Sequence, residues 1–284
     1  MTTVAAGSRL KTYASFIKLE HTLFSLPLIF AGALLHARTW PSLRLAALIL
    51  LAAVGARVVA MGLNRIVDAE LDARNPRTQR RELPRGAMQR GEAWGIVGLA
   101  ALLYAASAAA IAPICLRLAP IPVGLFFIYP YLKRVTFLAH LGLGLAWSMG
   151  PLAGWVAASR TMSGIAEAGW LWLFSVLWVT GFDIIYATMD EAFDREAGVH
   201  ALPAAIGKRP ALRVAALLHL VAFASLILLW RAQLHGAASL GWLAAVGALF
   251  VWQHAVAERR PELAFFQLNG VLGFLVFGVV FAGI

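Results

Sequence analysis

The sequence predicts an all-α bundle of nine membrane-spanning helices, on three observations. Of its 284 residues, 61% are hydrophobic and only 13% charged, too few polar side chains to clothe a soluble globule of this size. Nine apolar segments, each near the ~20 residues that a ~30 Å hydrocarbon core requires, follow one another along the chain. Of the 24 Lys and Arg residues, seventeen fall on one set of alternating connections and five on the other, with Arg57 and Arg65 inside the second segment. The richer side is cytoplasmic by the positive-inside rule, which places the N-terminus inside and, after nine spans, the C-terminus outside.

The segments justify themselves in order. MTTVAAGSRLKTYA is short, polar and mildly basic, and the apolar run behind it, 15–36, has the length of a span rather than of a signal peptide, so it is read as an uncleaved first helix. Segment two, 43–66, does not end where its hydrophobicity ends. Arg57, Asn64, Asp68 and Asp72 are seven, four and four residues apart, and at about 100° per residue they share one helical face. This stripe runs into the polar loop ARNPRTQRRELPRGAMQRG, 73–91. Segments three to five, 93–113, 115–132 and 136–158, contain or adjoin Pro113, Pro120, Pro122, Pro130 and Pro151, kinks that a membrane bundle tolerates. Gly91 with Gly95, and Gly150 with Gly154, offer small-residue packing faces. Segment six, 166–189, carries a second stripe on a helix expected to run on past the apolar end: Asp183, Asp190 and Asp194, seven and four apart, lead into EAFDREAGVHALPAAIGK. Segments 210–231, 237–256 and 262–283 complete the count. Both stripes close an even-numbered helix, four helices apart, which predicts one integral-membrane domain over 1–284, built of two weakly repeated four-helix halves plus a ninth helix.

Five aspartates and an asparagine at one membrane end repel one another and are costly to bury, so they call for a cation. All-oxygen ligands favour magnesium, manganese or calcium over zinc, and magnesium is commonly held by a few carboxylates together with substrate phosphate oxygens. The stripes therefore suggest a diphosphate bridged to protein through Mg²⁺, with loop arginines taking the remaining charge. Beside a hydrophobic bundle the matching substrate is an isoprenyl diphosphate, whose tail lies among apolar helices. Loss of diphosphate leaves an allylic cation that needs π-faces around it, and Phe126, Phe127, Tyr129, Tyr131, Trp147 and Tyr186 are available. The net charge of +10 is accounted for by basic loops at the membrane surface, part of which face anionic lipids, so no nucleic-acid partner is expected. Cys115, the one cysteine, excludes an intrachain disulfide and is read as a small buried apolar residue.

These residues resemble the UbiA-type intramembrane aromatic prenyltransferases. GLNRIVDAELDARNPRTQRRELPRG is similar to that family's first signature, matched by Asn64, Asp68, Asp72, Leu83, Pro84 and Gly86; Asp183, Asp190 and Asp194 match the second, and YPYLKR, with Tyr129, Tyr131, Lys133 and Arg134, the element between helices four and five. The resemblance covers nearly the whole chain, and jointly the motifs are highly specific. It implies two Mg²⁺ ions bridging the diphosphate, held by Asn64, Asp68, Asp190 and Asp194, with Asp72 supporting the diphosphate and Arg57 and Lys133 contacting it. Asp68 is implied as catalytic, and Asp183 as the residue that orients the aromatic acceptor or takes its proton. His21 is a further candidate contact for the acceptor carboxylate. The sequence departs from the family pattern at Arg65, where many members have Asp; one residue along a helix points about 100° away, so metal binding should survive, and an altered acceptor or loop contact is left open.

The expected function is transfer of a polyprenyl group from its diphosphate to a ring carbon of an aromatic acid in ubiquinone or menaquinone synthesis, in a bacterial inner membrane. The acceptor stays open between 4-hydroxybenzoate and a dihydroxynaphthoate, because FIKLEHTLFSLP and NPRTQRRELP resemble the futalosine-pathway branch. The alternative class is a transporter using intramembrane carboxylates for cation coupling, which would place its acids at interrupted helices near the bilayer midplane. A phospholipid head-group transferase would need a compact Asp-Gly-x-x-Ala-Arg signature, which the sequence lacks.

Overall fold

In the computed structural model, which describes residues 6–17 and 22–284, apolar composition and terminal caps together produce a bundle of helices. Their order is α1 Ala6–Ile17, α2 Thr22–Ala37, α3 Leu43–Arg74, α4 Arg90–Ile111, α5 Pro113–Leu118, α6 Pro120–Leu132, α7 Ala139–Trp147 and α8 Met149–Ser159. After a 3₁₀ turn at Ile165–Ala168 come α9 Gly169–Ala187, α10 Glu191–Ala197, α11 Leu202–Ile206, α12 Lys208–Gln233 and α13 Ala238–Ala257, then a π-helical turn Leu263–Gln267 and α14 Leu268–Gly283. Eight stretches are long and apolar enough to cross a membrane, and Ser25–Ala37 is a ninth, shorter apolar helix. The one difference from the expected nine full-length spans thus lies in the first, which runs through residues outside those described.

Local chemistry sets the ends. Ser42 caps α3, its hydroxyl accepting the Leu45 N–H at 3.3 Å, and Glu92 accepts the Gln89 N–H at 2.8 Å to close a capping box on α4. Pro113 and Pro120 each occupy the first turn of a helix, where a missing N–H costs nothing. The acidic stripe extends α3 to 32 residues, ending at Arg74, as its periodicity predicts.

The second stripe is not on one continuous helix. The expected run from Asp183 to Asp194 breaks at Thr188–Asp190, where three successive i→i−3 backbone bonds tighten the chain and Thr188 Oγ1 caps the Ile185 carbonyl at 2.7 Å. Asp190 then stands at the N-cap of α10 with φ −111°, a position that suits aspartate. Asp183 therefore sits in the span while Asp190 and Asp194 belong to the segment above it.

α9 is the most buried of the spans and packs on α7 and α12. Trp155, Phe174, Trp178, Leu226, Leu229 and Leu272 form the centre of the core at 1% exposure or less. α2 and α8 approach closely: a Cβ on Gly154 would lie 1.8 Å from the Ile29 carbonyl oxygen, and one on Gly32 would lie 2.0 Å from that of Pro151. Gly91 and Gly95 face open space, so the packing face expected there is absent and the one containing Gly154 is real. One set of polar side chains inside the bundle is joined by hydrogen bonds around the π-helical turn, as a membrane interior favours. Trp178 Nε1 donates to Asn269 Oδ1 at 2.8 Å, Asn269 Nδ2 to the Phe265 carbonyl at 2.8 Å and Gln253 Nε2 to the Ala264 carbonyl at 2.8 Å. The last two bonds satisfy backbone carbonyls of the π-helical turn. Cys115 is half-buried rather than buried.

Candidate active site

The polar ends of α3, α6 and α9, with the loops that follow α3 and α9, close over a cavity of about 700 Å³. All eight residues singled out from the sequence line it: Arg57, Asn64, Asp68, Asp72, Lys133, Asp183, Asp190 and Asp194. Of the six candidate aromatic residues, Phe126, Tyr129, Trp147 and Tyr186 line the cavity, whereas Phe127 and Tyr131 are exposed on its outside. His21 lies outside the described residues.

Three of the five aspartates, Asp68, Asp72 and Asp190, are held by cations rather than by one another. Asp68 is 2% exposed; its Oδ2 accepts Lys133 Nζ at 2.5 Å and Asn64 Nδ2 at 3.1 Å. Arg81 Nη1 spans both oxygens of Asp72, at 2.8 and 2.7 Å. Arg77 forms a fork with Asp190, one arm being Nε to Oδ1 at 2.8 Å and the other Nη2 to Oδ2. Asn75 Nδ2 also donates to Asp190 Oδ1, at 2.8 Å. Arg77 Nη1 donates to the Tyr186 hydroxyl at 2.6 Å, and its guanidinium lies 4.6 Å from that ring's centroid. Among the described residues, no three Asp, Glu, His or Cys side chains converge to hold a metal unaided. The reason is visible in these pairs: each of the three carboxylates is turned toward a basic side chain.

The donor set still fits magnesium, on two observations. It is all oxygen, and Asp68 Oδ1 is buried with no hydrogen-bond partner among the described residues, an acceptor whose desolvation is uncompensated. Magnesium bound jointly with a diphosphate needs only one or two carboxylates from the protein, not a complete cage.

Outside the spans the electrostatics divide Asp190 from Asp194. Burial acts to raise the Asp190 pKa, but the hydrogen bonds from Arg77 and Asn75 hold it below the usual carboxylate range. Asp194 has no such partner among the described residues; burial first, then the neighbouring Asp190 charge, pushes it up to about 7. Burial also opposes the charge of Arg77, but its bonds to Asp190 and Tyr186 hold its pKa above the ordinary value.

Deeper in the cavity the chemistry changes. Asp183 Oδ2 lies 2.6 Å from His140 Nδ1, and the Arg57 guanidinium stands 5.1 Å from the centroid of Trp147. Arg57 is two helical turns, about 10 Å, below Asn64. Aromatic rings continue from there: Trp147 meets Phe182 edge-on at 5.3 Å, Phe182 meets Phe265 at 5.4 Å, and Phe265 meets Tyr186 at 4.3 Å. Small residues on α3 and α8, among them Ala53, Ala56, Ala60, Gly150, Ala153 and Ala157, line the apolar remainder.

Sequence reasoning missed His140, Asn75 and the particular roles of Arg77 and Arg81. The arginines were visible only as loop charge, and His140 lacked any spacing to a second ligand. Arg65, turned off the acidic face, is buried in an ion pair with Glu82 at 3.1 Å, and Ser15 Oγ donates to the same carboxylate at 2.6 Å.

Known proteins agree with this architecture. A 4-hydroxybenzoate octaprenyltransferase of Vibrio atlanticus is 28% identical over 95% of this chain and 96% of its own. The apo structure of a UbiA homologue from Aeropyrum pernix K1 superposes with a TM-score of 0.85 at 34% identity, covering 91% of this chain and 96% of that one. A UbiA homologue from Archaeoglobus fulgidus, solved with GPP and Mg²⁺, shares the fold at 17% identity, with a TM-score of 0.72 over 96% of this chain and 100% of its own. The UbiA prenyltransferase family model matches residues 25–281. The protein is thus an integral membrane protein, all-helical, and a member of the UbiA prenyltransferase family.

Proposed function

We propose that this protein is a Mg²⁺-dependent polyprenyltransferase that joins a polyprenyl group to a ring carbon of an aromatic acid, with 4-hydroxybenzoate as first-choice acceptor. The observation that carries this is the junction of two chemistries in one cavity, a cluster of carboxylates, Lys133, Arg77 and Arg81 at its mouth and an aromatic, apolar interior behind it. The curated relatives named 4-hydroxybenzoate octaprenyltransferase support the acceptor, and the homologue solved with GPP and Mg²⁺ supports the donor and the ion.

Asn64, Asp68, Asp190 and Asp194 are assigned to the Mg²⁺–diphosphate, and Asp72 to its support. Mg²⁺, when bound, neutralises charge developing on the leaving diphosphate. Lys133, and Arg57 from deeper in the cavity, add positive charge there, and Arg77 and Arg81 can turn from their carboxylates to phosphate oxygens. As the donor C1–O bond breaks, its electron pair leaves with the diphosphate, and Trp147, Tyr129 and Tyr186 present π-faces to the allylic cation. The acceptor ring donates an electron pair to C1. The ring C–H pair then returns to the ring while Asp183 takes the proton, to be released to water with product. Asp68 is catalytic in that it holds the leaving group's counter-charge, and Asp183 in that it touches the acceptor.

A bacterial inner membrane is part of the same proposal, with the N-terminus and the acidic ends of α3 and α9 cytoplasmic, an orientation that the Lys and Arg asymmetry supports. An acceptor screen tests the reading: purified protein with Mg²⁺ and polyprenyl diphosphates of several lengths is offered 4-hydroxybenzoate and dihydroxynaphthoates. Prenylated 4-hydroxybenzoate is expected. Donor hydrolysis without transfer to any aromatic acid would sink the assignment.

A further inference from the structure

His140 takes no part in the diphosphate chemistry, yet it is the side chain that grips Asp183. It projects from the first turn of α7 and is 6% exposed. The Leu202 N–H donates to its Nε2 at 3.1 Å. A backbone amide has only a proton to offer, so Nε2 carries the lone pair and the ring's one proton is on Nδ1. That proton is donated to Asp183 Oδ2 at 2.6 Å. The imidazole is therefore neutral, in a tautomer assigned by its two bonds.

Two consequences follow from this arrangement. The bond to Nδ1 uses Oδ2 of Asp183, which leaves Oδ1 to meet a ligand in the cavity that Asp183 lines. Because Nε2 is engaged by the backbone amide, the ring offers no second site through which a proton could pass onward, and its contact with Asp183 holds the carboxylate. The segment holding Leu202 is itself pinned: the His200 N–H donates to the Lys133 carbonyl at 2.8 Å. The same imidazole thus ties the carboxylate in α9 to the chain that follows Asp194.

We propose that His140 is a positioning residue that aims Asp183 at the aromatic acceptor, a role that rests on the transferase reading above. Its removal lets Asp183 rotate, and a misplacement of about 1 Å at a reacting group is sufficient for losses of about 100-fold. The effect belongs to the acceptor half of the reaction and leaves the donor half alone.

The test uses the full chain in detergent with Mg²⁺, a polyprenyl diphosphate and 4-hydroxybenzoate, comparing wild type, His140→Ala and His140→Asn. Alanine removes both bonds, whereas asparagine keeps an N–H close to the Nδ1 position. The expected result is a fall in kcat of about 10- to 100-fold for His140→Ala, with the donor KM and Mg²⁺ dependence unchanged and most of the rate restored in His140→Asn. Wild-type kcat in both variants, or an equal loss in both accompanied by a raised donor KM, would overturn the inference. If His140→Ala does not fold, His140→Asn decides: near-normal kcat with an unchanged donor KM supports the role, and a loss as large as that of Asp183→Ala refutes it. A wild-type enzyme that prenylates no aromatic acid would instead overturn the function proposed above, whereas an active wild type indifferent to His140 overturns only this inference.

Discussion

Arg65 occupies the slot directly after Asn64, and the helix turns it off the acidic face into a buried pair with Glu82, the two side chains 7% and 6% exposed. A pair this enclosed ties the end of α3 to the loop that carries Arg77 and Arg81. Deleting one partner strands a charge, so Glu82→Ala should lower the unfolding free energy by about 3 kcal/mol, read by thermal or denaturant unfolding in detergent. The double replacement Arg65→Met with Glu82→Leu should recover much of that, since a well-packed apolar pair is often as stable as a buried ionic one. Burial acts to raise the Glu82 pKa, but Ser15, its own backbone amide and Arg65 hold it below the usual carboxylate range. A folded pKa below the unfolded one stabilises above the unfolded value and is lost as pH falls through the folded one. The contribution of Glu82 should therefore persist through neutral pH and disappear under acid conditions below about pH 4, a decline that Glu82→Gln should blunt. At this scale the acids were legible because carboxylates repeated every four residues at the end of an apolar run are too costly to place there without a cation to meet them. His140 was not legible, because a lone histidine on an apolar helix looks the same whether it pairs with a distant aspartate or only packs.

Helix contacts show why spacing alone identifies some elements and misplaces others. Gly150–Gly154 and Gly91–Gly95 are the same pattern in the sequence, yet only the former meets another helix. The decision is made by which face the bundle covers, and that is tertiary information. Gly154→Ala should force α2 and α8 apart and cost about 1 to 3 kcal/mol by overpacking. Gly95→Ala, facing open space, should be neutral or stabilising by up to about 1 kcal/mol. Parallel unfolding measurements on the two variants check the contrast, and equal effects would contradict the packing described. The break between α9 and α10 was missed because Thr188–Met189–Asp190 contains neither Gly nor Pro. Its signal was fainter: an Asp that can cap, preceded by a Thr that can bond back to the previous turn. The break moves Asp190 and Asp194 out of the span without losing their place in the cavity.

The whole molecule presents apolar side chains outward as well as inward. Leu99, Leu102, Leu217, Leu220 and Val251 are 60–73% exposed, as lipid-facing positions are, so composition made the fold class legible before any element was placed. Orientation is a property at this same scale. In a Cys115→Ala background, which leaves no native cysteine, Gln79→Cys in the loop after α3 should be labelled by an impermeant thiol reagent in inverted vesicles and protected in right-side-out ones. Carboxylates from α3 and from the segment after α9 are balanced by Lys133, Arg81 and Arg77, and under the proposed function they would hold a Mg²⁺–diphosphate between them. The most direct measurement is diphosphate release by the purified protein from a polyprenyl diphosphate plus 4-hydroxybenzoate, titrated with Mg²⁺, for wild type, Asp68→Ala and Asp190→Ala. Release should depend on Mg²⁺ in wild type and fall by about 100-fold or more in each variant; wild-type turnover in either variant, or full release without divalent cation, would contradict it.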